Sequence, residues 1–168
     1  EQKEYFKANK GTFTELTNLL LKSKNTVYMK QGKLARVADL YREDQKYWKY
    51  VVADDSPFPL SDSISIDVAG SFGDDEAILR LIDKLDIYAI YNYSDGIFFL
   101  IDGVLDNSYG FVYQKSEIEI KSNHLFEITL KKEIESNYYY YIANWPKKKS
   151  IDEIRAHTVS SVSQKLND

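Results

Sequence analysis

The sequence predicts a single α+β domain over residues 1–168, a mainly antiparallel sheet packed with an N-terminal, a central and a C-terminal helix. Three observations carry that expectation. Apolar residues recur at helical spacing in three places, they alternate or run on without interruption in several short segments, and hairpin-length connections join those segments. Connections that short exclude the crossovers that parallel neighbours need.

The first helical pattern runs from Gln2 to Lys22, where Phe6, Phe13, Leu16 and Leu20 form a stripe widened by Tyr5 and Leu19. Gly11 and Thr12 weaken its middle and are the expected break. Thr26 to Met29 reads as a short strand and Gln31-Gly32-Lys33 as a turn. Leu34 to Arg42 fits a helical turn or two as well as an extended segment, and the irregular or strand-like reading is preferred. Gln45 to Ala53 holds Tyr47-Trp48-Lys49-Tyr50-Val51-Val52, an aromatic and β-branched strand. Asp54-Asp55-Ser56-Pro57-Phe58-Pro59 breaks regular structure, after which Ile64, Ile66 and Val68 alternate with polar residues.

The central unit begins at Asp74, placed to cap a helix whose first turn carries Asp75 and Glu76. Ile78, Leu81, Ile82 and Leu85 make its stripe. Strands follow at Ile87–Tyr93, Ile97–Ile101 and Ser108–Gln114, with Asp95-Gly96 expected to supply the positive φ of a tight hairpin. Gly110 marks a bulge or a close contact in the third strand. Leu81, Ile82, Leu85, Phe99, Ile101 and Phe111 are the expected core. Further strands are expected at Ser116–Ser122, Leu125–Lys131 and Asn137–Trp145, the last two joined at Glu135-Ser136-Asn137. Pro146 stops the run, Lys147–Lys149 link onward, and Ser150-Ile151-Asp152-Glu153 opens a final helix with a stripe through Ile154, Thr158, Val162 and Leu166.

Composition excludes several classes of function. With no cysteine, disulfides, thiolate metal sites and cysteine nucleophiles are ruled out. A formal net charge of −4 argues against a general nucleic-acid binder. No apolar run reaches the length of a transmembrane segment. Two histidines, His124 and His157, are too few to form a zinc shell without carboxylates, and no cofactor or metal is expected. Asp102, Asp106 and Asn107 lack calcium-loop spacing and read as turn formers. Gly70-Ser71-Phe72-Gly73 precedes a helix but lacks the lysine of a phosphate loop. No G-x-S-x-G elbow occurs. Glu117 and Glu119 share a strand face, an arrangement a small carboxylate-dependent hydrolase would use in a cleft and a wet strand would carry for solubility alone.

Tyrosine is abundant, 14 residues of 168. Strands favour it, which explains the count without a function. A binding surface explains it too, and Tyr47, Trp48, Tyr50, Tyr139, Tyr141 and Trp145 are the candidate ligand-binding residues. Within a strand the run Tyr138–Tyr141 must split two and two between faces.

Ser108-Tyr109-Gly110-Phe111-Val112-Tyr113, then Asn137-Tyr138-Tyr139-Tyr140-Tyr141, resembles the strands of certain small bacterial proteins of unknown function. Those begin with a helix rich in Phe and Leu, and several are made with a lipoprotein-type leader. Tyr138 stands where they carry tryptophan. The resemblance implies a non-enzymatic envelope or interaction protein and transfers no site residue. The chain opens on Glu1 and its single methionine is Met29, so a removed leader or a trimmed start is expected. The expected function is therefore a binding module, exported or lipid-anchored, with a protein or glycan partner. A cytoplasmic location, a small hydrolase and a structural envelope component are the alternatives.

Overall fold

A computed structural model describes residues 1–52, 63–68, 70–103, 107–116, 120 and 127–144. Among them are three helices and ten strands. These are α1 (Gln2–Ala8), α2 (Lys10–Lys22), β1 (Val27–Gln31), β2 (Leu34–Val37), β3 (Leu40–Glu43), β4 (Lys46–Val52), β5 (Ser63–Asp67), α3 (Asp75–Lys84), β6 (Ala89–Asn92), β7 (Gly96–Asp102), β8 (Ser108–Gln114), β9 (Glu127–Glu135) and β10 (Tyr138–Asn144). The strands form one sheet in the order β5-β4-β3-β2-β1-β6-β7-β8-β10-β9. Every pairing is antiparallel. The α+β class with an antiparallel sheet is therefore correct, as are the N-terminal and central helices; the expected helix at Ile151–Leu166 lies outside the described residues.

The chain lays β1 to β5 outward in sequence, crosses through α3, and pairs β6 with the other side of β1. It then adds β7 and β8. β9 takes the outer edge, and the return hairpin inserts β10 between β9 and β8. Asn137, at φ 66, makes that hairpin turn, where the left-handed conformation suits asparagine.

Register lines up one apolar row across six strands: Val37, Tyr28, Ile90, Phe99, Phe111 and Tyr140. This row faces the helices. Phe13 of α2 meets Phe99 edge-on at 5.5 Å and Phe111 at 5.2 Å, while Phe6 of α1 lies 4.8 Å from the Tyr138 ring. Phe99, Phe111, Ile82 and Leu85 are buried as expected, whereas Leu81 and Ile101 are only half-buried at the margin of the core. The opposite face has its own cluster, where Phe98, Val112, Ile120, Tyr141 and Ala143 are buried together. The tyrosine run divides as strand geometry demands, Tyr138 and Tyr140 to the helix side and Tyr139 and Tyr141 to the other.

Four local expectations change. The first helical pattern breaks at Asn9, whose φ of −111° leaves the helix, and not at Gly11-Thr12. Leu34 to Arg42 is strand-like, as preferred, but as two strands, β2 and most of β3, turned at Ala38 with φ 52. Asp74 makes no side-chain cap; α3 is entered through backbone bonds from Asp75 N–H to Phe72 and from Glu76 N–H to Gly73, with Gly73 at φ 55. Gly96 lies inside β7 without positive φ, and its requirement is space: a Cβ there would sit 2.3 Å from Ile120 Cδ1.

A polar clasp joins the first sheet strand to α3. The Tyr28 hydroxyl donates to Asp75 Oδ1 at 2.9 Å and meets Ser23 Oγ, and Asn25 Nδ2 donates to Asp75 Oδ2 at 2.9 Å. Burial, and then the carboxylate beside it, push the Tyr28 phenol up to about 12 from an ordinary 10.0. Burial also raises Tyr93 and Tyr141. A raised phenol pKa means the fold favours the neutral form. The stabilisation is therefore complete below pH 10 and is lost as pH climbs through about 12. Alkaline titration followed at 295 nm should show these phenols ionising late, in one cooperative step with loss of circular dichroism. Ionisation of all 14 tyrosines together near pH 10 would contradict the burial described.

Candidate functional site

Of the six aromatic residues singled out in the sequence, the four whose side chains are described, Tyr47, Trp48, Tyr139 and Tyr141, do not share one surface. β4 and β10 stand seven positions apart in the sheet order, about 34 Å at ~4.8 Å per strand. Tyr47 faces the helices and packs edge-on against Phe72 at 5.4 Å. Arg42 beside it binds Glu76 at 2.5 Å and lies 5.0 Å over the Phe72 ring, so this group fixes the entry to α3. Trp48 is half-buried on the other face, in register with Tyr41 and Asp67. Along that row the Arg36 guanidinium lies 5.0 Å over the Tyr41 ring. Tyr139 is half-buried under the Lys131 ammonium, 4.1 Å from its ring. Tyr141 is 0% exposed, against Phe98, and so presents no surface. The Tyr50 side chain, Trp145, Glu117, Glu119, His124 and His157 lie outside the described positions.

One concave feature among the described residues lies beside the end of α3. A cleft of about 450 Å³ opens between the β1–β2 turn, the end of α3, and the β7–β8 strand ends. Its walls include Lys30, Asp83, Asp86, Tyr88, Asp102 and Tyr109. The end of α3 explains how one wall is built. Ile87 N–H bonds Ile82 O at 3.0 Å and Asp86 N–H bonds Asp83 O at 3.2 Å, a Schellman ending. The left-handed residue of such an ending is usually glycine; here it is Asp86 at φ 50. The Tyr5 hydroxyl donates to Leu85 O at 2.5 Å and ties α1 to the same corner.

Lys30 Nζ pairs with Asp83 Oδ2 at 3.2 Å, and Asp102 Oδ1 accepts from Gly103 N–H at 2.7 Å. Three carboxylates thus face one ammonium. Among the described residues neither Asp86 nor Asp102 has an ion-pair partner. No group of three or more His, Asp or Glu among the described residues could hold a metal ion.

From the cleft a row of residues runs on across the sheet, and we call the cleft and this row together the groove. Asp102 is in register with Tyr109, Tyr109 with Ile142, and Ile142 with Leu130, one row across β7, β8, β10 and β9. Tyr140 flanks it, 6.4 Å from the Tyr109 ring. Tyr109, Tyr140 and Ile142 are half-buried, and Leu130 is 45% exposed. Leu21 on α2, at 47%, is the other large apolar side chain so exposed among the described residues. Sequence reasoning missed this site: it treated Asp102 as a turn former and Leu130 as ordinary strand. The one available signal was a carboxylate, Asp86, where a helix end would normally carry glycine.

No described helix is long and apolar enough to cross a membrane. Comparison with known proteins finds no family model, curated protein or solved structure that matches this chain.

Proposed function

We propose that this chain is a non-enzymatic binding module that takes a partner protein in the groove running from the Asp86–Asp102 cleft to Leu130. The observation that supports it is that the cleft shares Tyr109 with a half-buried apolar row that ends on exposed Leu130. Water-facing Leu130 beside tyrosine rings gains by being covered, and tyrosine anchors contacts for few frozen torsions. The resemblance noted in the sequence supports a place in the cell envelope, exported or lipid-anchored.

Capture tests the reading. Immobilised chain should retain a protein from an envelope extract; Leu130→Glu should lose it, and Leu21→Glu should keep it. Equal retention by Leu130→Glu would remove the groove from the account. Retention that a free polysaccharide competes away would make the partner a glycan.

A trade-off follows at Asp86. Asp86→Gly should relieve the left-handed strain and raise stability by about 0.5–1 kcal/mol. The same variant should bind more weakly. A chemical melt showing no gain would contradict the strain assigned to this helix end.

A further inference from the structure

The row carries aspartates at its cleft end, whereas its far end, at Leu130, is flanked by Lys132, and this asymmetry specifies what it receives. We infer that the partner segment carries a lysine or arginine side chain at one end, seated between Asp86 and Asp102, and apolar side chains beyond it over Tyr109, Ile142 and Leu130. The inference rests on the groove reading above and adds the chemistry and direction of the occupant.

Charge complementarity carries the first half. Lys30 already neutralises Asp83, so the cleft retains two carboxylates without an ion-pair partner among the described residues, in a chain of net charge −4. The Tyr88 and Tyr109 side chains line the same cleft, and aromatic faces attract a cation as carboxylates do. An anionic group would meet three aspartates there.

Register carries the second half. From β7 to β9 the row crosses three strand gaps, about 14 Å at ~4.8 Å each. An extended segment rises roughly 3.3 Å per residue, so the cation and the side chain over Leu130 are about four residues apart. Asp86 and Asp102 are exposed, so the charge pair sets orientation and salt sensitivity while the apolar row supplies most of the affinity.

The test uses the full chain and three fluorescein-labelled peptides: Arg-Gly-Leu-Gly-Leu-Gly-Leu, its counterpart with Glu for Arg, and its counterpart with Ser for every Leu. Anisotropy should show the arginine peptide binding about two- to fivefold more tightly than the glutamate peptide at low salt, as one exposed ion pair implies. The preference should vanish in D86N/D102N and shrink in high salt. Leu130→Ser should weaken both leucine peptides alike, and the serine peptide should not bind. Equal binding of the arginine and glutamate peptides, both lost in Leu130→Ser, would leave the groove standing and overturn the cationic assignment. A preference that survives D86N/D102N, or no binding of the arginine peptide at millimolar concentration, would also overturn it.

Discussion

Phe99→Ala should cost about 3–5 kcal/mol of stability, at the upper end for a single truncation. Phe99 is fully buried at the centre of the six-strand row, between Ile90 and Phe111, with Phe13 edge-on above it. Removing the ring leaves a void walled by both the sheet and α2, which neighbours on a hydrogen-bonded sheet cannot close. Urea denaturation should show the midpoint falling with an unchanged slope. A midpoint that does not move would mean that the helices cover a different face.

Gly110→Ala should cost about 3 kcal/mol or more, for the opposite reason. A Cβ at this position would stand 1.9 Å from the Phe99 carbonyl oxygen and 2.9 Å from its carbon. Those are backbone atoms of the paired strand, so no rotamer change relieves the clash, and β7 and β8 must separate beside their irregularity at Leu100/Asp102. Gly11→Ala is the internal control. Nothing lies within 4 Å of its Cβ position, and in α2 it should stabilise by roughly 0.5–1 kcal/mol. If Gly110→Ala melts as wild type does, the β7–β8 register is wrong.

The central helix and its strands were legible because each signal there is local. The stripe through Ile78 and Ile82, the apolar run Ile97–Ile101 and the turn at Asn137 all lie within a few residues of sequence. Where a local signal was missing, the reading slipped. Ala38 turns β2 into β3 in a left-handed conformation that alanine does not advertise, so two strands read as one ambiguous stretch. Gly96 looked like a turn glycine, and what it answers to is the distant side chain of Ile120.

The candidate site was less legible still, because it depends on strand order. Asp102 and Tyr109 meet across β7 and β8, but Ile142 and Leu130 join their row only because β10 inserts between β8 and β9. No periodicity in the chain encodes that insertion. The aromatic residues chosen from composition show the converse limit. Tyr47 and Tyr141 do have large contact areas, but they spend them on Phe72 and Phe98 inside the fold.

The most direct measurement of the central claim is photo-crosslinking with benzoylphenylalanine placed in turn at Leu130 and Leu21, the two exposed leucines among the described residues. Position 130 should yield one discrete protein adduct in an envelope extract, and Asp86→Asn with Asp102→Asn in the same chain should weaken it. Position 21 should yield none. Equal adducts at both positions, none at 130, or only an adduct of twice the chain's own mass would contradict the groove as a site for another protein.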